Sequence, residues 1–379
     1  MEPFPAHLAP GAEDPLDDAA LSRIVAITEF EAVARERMAA PSYDYVAGGA
    51  WDELTLAESE TAWRAYRLRP RVLVDVSAVR TATTLLGAPA SMPVAIAPMA
   101  VHGLANPEAE LATARAAAAA SVPFTLSTMS SCSIEEVAAA APDAPRWFQL
   151  YTQADPGRSR DLVERAATAG YSALIVTVDL PRLGYRERDR RSGFDLAVPL
   201  GNFADGPPTH RSIGATGFDR LETQAHGALT WADLDAIRGW SAMPLVLKGI
   251  LTAEDARIAV EHGVDGIVVS NHGARQLDRV LPSIEALPAI AQAVDGRAEL
   301  LVDGGVRRGL DVAIALAEGA TGVLIGKPII WALAAGGQAG VARALEIVRE
   351  ETEIAFALLG VREPGEVRPD HVRRPRNAT

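Results

Sequence analysis

Residues 173–179 read ALIVTVD. The stretch is apolar and β-branched up to Val176, then Thr177 and Asp179 introduce polar groups on alternate positions. An apolar run of this length fits a strand buried on both faces, the kind found in a parallel sheet. The same pattern recurs on either side. PVAIAPMA (Pro93–Ala100), FTLST (Phe124–Thr128) and RWFQLY (Arg146–Tyr151) precede it. LVLKG (Leu245–Gly249), GIVVSNHG (Gly266–Gly273), ELLVDGG (Glu299–Gly305) and GVLIG (Gly322–Gly326) follow. Amphipathic, alanine-rich stretches separate these runs, among them Pro107–Ser121, Ile134–Ala141, Asp155–Gly170, Ala253–Gly263 and Leu310–Gly319. Gly170, Gly263 and Gly319 stand where a helix C-cap glycine belongs.

Eight apolar strands alternating with helices put the chain in the α/β class and predict a closed (β/α)8, or TIM, barrel. The rival, an open doubly wound sheet, calls for a GxGxxG turn after the first strand, and APMAVHG does not supply one. Outside the barrel, residues 1–18 read as a flexible leader, and 19–379 as a single domain. An N-terminal helical segment is expected over Ile27–Met38, with Ile27, Phe30, Ala34 and Met38 on one face and Pro41 as its stop. From Pro181 to about Thr230 the periodicity is lost to Gly, Pro, Arg and Asp. A loop this long after the fourth strand predicts a lid over the C-terminal rim of the barrel.

Composition narrows the function classes. The 379 residues are 49% hydrophobic and carry a net charge of −13, with a pI near 5.1. That balance argues against a nucleic-acid binder, which needs a basic face. Cys132 is the single cysteine, which excludes an intrachain disulfide and fits a reducing compartment. The first residues, MEPFPAHLAPGAEDPLDD, have neither the basic start nor the apolar core of a signal peptide. The alanine run Ala112–Ala120 contains Arg115 and is too short to span a bilayer. A cytoplasmic protein without a membrane segment is the expectation.

In such a barrel, polar residues at strand C-terminal ends are the functional candidates. Here they are Gln149 and Tyr151, Thr177 and Asp179, Lys248, then Ser270, Asn271 and His272, and Asp303. Any one of them alone reads equally well as a hydrogen-bonded core residue. So many on one rim call for a ligand, because a barrel mouth cannot desolvate them all unaided. DGGVRRG (Asp303–Gly309) and IGKP (Ile325–Pro328), on the last two strands, combine glycines with Arg307 and Lys327 and suit a mononucleotide phosphate. Read singly, each is an ordinary glycine turn. SNHGARQLD (Ser270–Asp278) places His272 three residues from Arg275. An imidazole and a guanidinium facing one pocket suit proton abstraction beside a carboxylate, with His272 as base, Arg275 as two-pronged anchor and Asp179 as a partner for the base. No other His or Cys lies at ligand spacing, so no metal is expected.

These motifs carry a family resemblance. YDYVAGGAWDE, SMPVAIAPMA, WFQLY, TVDLPRLGYRERD, LKGI, SNHGARQLD and VDGGVRRG stand in order over roughly Phe30 to Gly360. The sequence resembles the FMN-dependent (S)-2-hydroxy acid oxidases and dehydrogenases. The resemblance implies an FMN cofactor, a small 2-hydroxy acid substrate, oxygen or another electron acceptor, and a homo-oligomer, tetramer or octamer. It implies that Tyr45, Arg186 and Arg275 hold the substrate carboxylate and that Tyr151 contacts the hydroxyl region. It implies His272 as the catalytic base oriented by Asp179, and Lys248 as the cation that stabilises reduced flavin. Pro98, Met99 and Ala100 would wall the flavin, with Ser127, Gln149, Thr177 and Ser270 as polar partners. Asp303, Gly304, Gly305, Arg307, Gly326 and Lys327 would hold the ribityl phosphate. The substrate would lose its hydroxyl proton to His272 and its α-hydrogen to the flavin, leaving a 2-keto acid.

Two positions depart from the family pattern. Lys327 stands where arginine is usual, which keeps the charge but loses the fork. Met129 stands where glycolate oxidase has a tryptophan, and a flexible thioether leaves more room than an indole. A substrate larger than glycolate, aryl or long alkyl, is therefore expected. Rival readings are a quinone- or protein-coupled dehydrogenase of the same fold, a flavin-barrel isomerase, and a barrel that binds without reacting.

Overall fold

A computed structural model describes residues 8–9, 14–194, 200–203 and 227–374. Its centre is a closed barrel of eight parallel strands in sequence order: β1 (Val94–Met99), β2 (Phe124–Ser127), β3 (Arg146–Leu150), β4 (Ala173–Thr177), β5 (Leu245–Ile250), β6 (Gly266–Val269), β7 (Glu299–Val302) and β8 (Gly322–Ile325). β8 closes the ring on β1, pairing Val323 with Val94 and Ile325 with Ile96. Nearly every strand residue is buried, as continuous apolar runs require when helices cover the outside and side chains fill the inside.

Before the barrel come α1 (Phe30–Arg37), α2 (Ala40–Ala47) and α3 (Leu54–Ala65). The barrel helices are α4 (Ala109–Ala120), α5 (Ile134–Ala140), α6 (Pro156–Thr168), α9 (Ala253–Glu261), α10 (Ser283–Val294), α11 (Gly309–Ala317) and α12 (Lys327–Leu359). Between β4 and β5 lie two short helices, α7 (Glu187–Ser192) and α8 (Asp233–Arg238). α6 shows the local logic. Its buried residues Ser159, Leu162, Val163 and Ala166 fall on one helical stripe, Asp155 caps Gly157 N–H at 2.9 Å, and Pro156 occupies the first turn. Gly170 follows its end at φ +80°.

The expected N-terminal helix is shorter than its periodicity suggested. Ile27 lies in a separate 3-10 turn, and α1 ends at Arg37 with Met38 extended. Pro41 does not stop that helix; it sits in the first turn of α2, where a missing N–H is harmless. Most of the leader and of the expected lid loop falls outside the described residues. Of the leader, Leu16 donates its backbone N–H to Ala335 O at 2.9 Å. No helix among the described residues is long and apolar enough to cross a membrane.

One element escaped the sequence reading. Thr83–Leu85 and Ala88–Ala90 form a hairpin whose turn residues Leu86 and Gly87 both have positive φ, the primed-turn geometry. Leu85 and Leu86 pack with Ala95, Trp147, Ile175, Val246, Val268, Leu301 and Leu324 in the barrel interior. A Cβ on Gly322, which opens β8, would meet Leu85 at 2.9 Å, and one on Gly266, which opens β6, would meet Leu86 at 3.0 Å. The hairpin thus plugs the N-terminal end, and the site is left to the C-terminal end.

Candidate active site

Strand alternation builds the floor of the site. Inward-facing residues recur every second position. Following that rule upward from the apolar plug, Trp147 leads to Gln149, Ile175 to Thr177, Val246 to Lys248, Val268 to Ser270, Leu301 to Asp303 and Leu324 to Gly326. The last inward layer is therefore polar, while the layer beneath it is apolar. Three neighbouring strands link through it: Ser127 Oγ donates to Gln149 Oε1 at 3.1 Å, and Gln149 Nε2 donates to Thr177 Oγ1 at 3.0 Å. Lys248, 4% exposed, lies between Asp303 Oδ2 at 3.2 Å and Ser270 Oγ at 2.9 Å. Asp303 Oδ1 is buried without a hydrogen-bond partner.

Above this layer, His272 Nδ1 is 2.9 Å from Asp179 Oδ1, and its Nε2 is 3.3 Å from the Tyr151 hydroxyl. His272 adopts φ +58° in a one-turn 3-10 segment, which Asn271 caps by accepting from Ala274 N–H. Its backbone N–H also donates to Ser270 Oγ at 3.0 Å. Burial lowers the imidazole's pKa below its ordinary 6.5; Asp179 opposes this, while Lys248 and Arg186 add to it. For Asp179, burial favours the neutral carboxyl, but His272 and Lys248 outweigh it and hold the group below the usual range. At neutral pH the pair is an ionised Asp179 and a neutral His272. Nδ1 then carries the proton and donates to Asp179, which leaves Nε2 as an acceptor. Burial, then Asp179, raises the Tyr151 pKa, so its phenol stays protonated and donates to Nε2. Gly249 makes room for Asp179: at φ +112° it has no side chain where a Cβ would lie 2.6 Å from Asp179 Cβ and Cγ.

The arginines come from outside the strands. Arg275 donates to the carbonyls of Tyr45 and Gly48, the latter at 3.1 Å, and its guanidinium lies 4.7 Å from the Tyr45 ring centroid. Arg186 Nε donates to Arg275 O at 3.1 Å and Nη2 to Gln276 Oε1 at 3.3 Å. Burial, then Arg275, brings the Arg186 pKa down to about 10. Deeper toward β8, Lys327 Nζ donates to Ala47 O at 2.9 Å and to Gly48 O at 3.3 Å. Arg307 pairs with Glu60 at 2.9 Å and lies over the Trp331 ring.

One open cleft of about 1240 Å³, mouth included, joins these groups. It is lined by Tyr45, Pro98, Met99, Ala100, Met129, Tyr151, Thr177, Arg186, Lys248, His272 and Arg275, and by Asp303, Gly304, Gly305, Arg307, Gly326 and Lys327. Asp179, Ser127, Gln149 and Ser270 do not line it. Each lies one hydrogen bond behind a residue that does. Sequence reasoning missed Leu180 and Leu183 on the wall and Gln276, whose amide ties Arg186 to the Asp179 and Arg182 carbonyls. Each had a signal: Gln276 its place in SNHGARQLD, and Leu180 and Leu183 theirs in TVDLPRLGYRERD.

The cleft fits a flavin mononucleotide. Arg275 and Lys327 share the Gly48 carbonyl, and no carboxylate lies within ion-pair distance of either among the described residues. Burial, then Arg275 and Arg307, depresses the Lys327 pKa well below its ordinary value. Part of its side chain still faces the open cleft, so the effect is smaller while water fills that space. A cluster of cations with one carboxylate among them is a place for a phosphate. A Cβ on Gly326 would lie 3.6 Å from Met99 Sδ, at ordinary contact distance.

A barrel with this floor and this cationic corner defines a phosphate-anchored cofactor enzyme. The sequence profile of FMN-dependent dehydrogenases matches residues 34–374. L-lactate oxidase of Nostoc sp. is 48% identical over 349 residues, covering 90% of this chain and 96% of its own. Glycolate oxidase of Spinacia oleracea is 44% identical over 353 residues, covering 92% and 95%. The crystal structure of mandelate oxidase with (S)-4-hydroxymandelic acid superposes with a TM-score of 0.88 at 44% identity, over 92% of this chain and 98% of that one. The chain belongs to the FMN-dependent 2-hydroxy acid oxidase family, and FMN is its cofactor.

Proposed function

We propose that the protein oxidises an (S)-2-hydroxy acid larger than glycolate to its 2-keto acid, with oxygen as final acceptor and hydrogen peroxide as co-product. The observation that carries the reading is the row Asp179–His272–Tyr151 beside Arg186 and Arg275 in one cleft. Arg275, Arg186 and the Tyr45 phenol take the carboxylate, the group that every 2-hydroxy acid carries whatever its side chain. The 2-hydroxyl then falls between Tyr151 and His272, where the Nε2 lone pair takes its proton. Asp179 stabilises the imidazolium that forms. FMN, when bound, would supply the two-electron acceptor chemistry, taking the α-hydrogen with its electron pair while His272 takes the hydroxyl proton, so that a carbonyl remains. Arg307 and Lys327 would hold its phosphate, and Lys248 would supply positive charge beneath its ring. Met129, Leu180 and Leu183 give the substrate side chain an apolar wall, which supports an aryl or alkyl group. A cytoplasmic homotetramer or octamer completes the reading; the family resemblance supports the assembly, which light scattering of the holoprotein tests, and the single cysteine supports the compartment.

The test is the visible spectrum of the anaerobic holoprotein with (S)-lactate, (S)-mandelate or (S)-2-hydroxyoctanoate, then after admitting air. Bleaching with rapid recovery in air is expected. Bleaching without recovery would move the acceptor to a quinone or protein. A flavin that none of the acids bleaches would overturn the substrate class, and glycolate turnover as efficient as that of mandelate would overturn its size.

A further inference from the structure

We infer that Phe194 is a positioning residue for substrate-carboxylate binding, acting through Tyr45. The inference rests on the role proposed above for Tyr45. The Phe194 and Tyr45 rings are stacked, with centroids 4.7 Å apart and planes 11° from parallel. Phe194 is 3% exposed and does not line the cleft, so its contact with the site is indirect. Tyr45 is in turn the ring over which the Arg275 guanidinium lies, and its backbone carbonyl accepts from that guanidinium. Two of the three proposed carboxylate anchors thus depend on where this one ring sits.

The third anchor is tied to the same segment. Arg186 is the N-cap of α7, and Phe194 follows the helix's C-cap, Gly193. The Phe194 N–H donates to Asp189 O at 3.0 Å, closing the end of the helix. Arg188, in the first turn, pairs with Asp44 on α2 at 3.8 Å and with Glu53, the N-cap of α3, which ties α7 to the helix that carries Tyr45. α7 therefore delivers Arg186 directly and holds Tyr45 through Phe194. An α7 that slides or rotates moves all three anchors together. A lone tyrosine on a short helix has rotamer freedom to lose on binding; a stacked one has lost it beforehand, which favours the bound state.

A residue that acts on the carboxylate alone leaves a signature: it affects every 2-hydroxy acid by the same factor, whatever the side chain. Offset aromatic pairs contribute enough that losing one changes affinity roughly 2- to 10-fold. The experiment measures dissociation constants of acetate and phenylacetate, substrate frames without the hydroxyl, from the perturbation of the flavin visible band in the holoenzyme. It compares wild type with Phe194→Leu, Tyr45→Phe and the double variant, together with KM and kcat for lactate and mandelate. The expected result is an equal rise for both probes in Phe194→Leu, a matching rise in KM with kcat within about twofold, and a smaller rise when Phe194→Leu is added to Tyr45→Phe than when it is made alone. Phe194→Trp, which keeps a stacking plane, restores binding. Unequal factors for the two probes would make Phe194 a side-chain contact and overturn the inference, as would additive effects or unchanged constants. If Phe194→Leu does not load FMN, Phe194→Met carries the same comparison. A wild-type flavin that binds both probes but is bleached by no hydroxy acid would overturn the proposed function and leave the positioning role standing.

Discussion

Replacing Asp179 by asparagine separates what the carboxylate does from the room it occupies. The side chain keeps its volume, and an amide oxygen can still accept from His272 Nδ1 at the present 2.9 Å. What disappears is the negative charge facing the imidazolium that forms when His272 takes the substrate proton. Both side chains are about 15% exposed, so water screens the pair poorly. A hydrogen bond to a charged group contributes about 1.5–3 kcal/mol where a neutral one gives less. If that difference, about 1–1.5 kcal/mol, is expressed only once the ring is protonated, the barrier rises by the same amount and flavin reduction slows roughly 5- to 13-fold. The pH profile gives a second readout. Burial holds the His272 pKa below 6.5, so the competent neutral form is present at pH 7 and is lost as pH falls through that lowered pKa. Asp179 raises the pKa, hence Asp179→Asn moves the acid limb of kcat/KM further down. Anaerobic stopped-flow reduction measures the rate, and reoxidation of reduced enzyme by air serves as the control. A loss under threefold, or an acid limb that moves up, would refute the assignment of His272 as base with Asp179 as its counter-charge.

Three further outcomes are expected. Gly249→Ala forces φ +112° on a residue with a side chain and drives its Cβ to 2.6 Å from Asp179; strain of about 1–3 kcal/mol and a similar overpacking term should lower the denaturation midpoint, with slowed flavin reduction in whatever folds. Met129→Trp fills the cleft wall and should shift the kcat/KM ratio of mandelate to glycolate toward glycolate by tenfold or more, about the 1–3 kcal/mol that a pocket misfit costs; an unchanged ratio would place the substrate side chain elsewhere. Lys327→Met removes one charge-assisted contact of roughly 1.5–3 kcal/mol to the phosphate, so the FMN dissociation constant from fluorescence quenching should rise about 10- to 150-fold.

The parts of the site that strands carry were legible because strand geometry leaves little choice. Once 173–179 is taken as a strand with Ile175 inward, Thr177 must face inward as well, and the same rule yields Gln149, Lys248, Ser270 and Asp303. His272 and Arg275 were legible because three residues past a strand end leave few directions to point. The limits have the same physical origin. Phe194 meets Tyr45 across 149 positions of chain, and no local pattern encodes a ring stacked at that separation. TTLLGAPA is a hairpin too short for its alternation to stand out beside the first barrel strand. Pro41 was assigned to the wrong helix because a proline that ends one helix and one that begins the next look alike until the cap is seen. Gly305 was read as a phosphate glycine, yet its missing side chain also makes room for the Ser59 carbonyl and the Trp63 ring, so packing of α3 requires it independently of any ligand.

The hairpin under the barrel has a consequence for traffic. With Leu85 and Leu86 stoppering one end and the layer from Trp147 to Leu324 filling the shaft, the barrel is a cup rather than a tube. On the roles proposed for Arg186 and Arg275, hydroxy acid and keto acid present the same carboxylate to the same two arginines at the open end of the cup. Departure of one is the precondition for arrival of the other, so accumulated keto acid should queue against fresh substrate, and the enzyme's pace in a product-rich medium is governed by turnover at the rim of the cup as much as by chemistry on its floor.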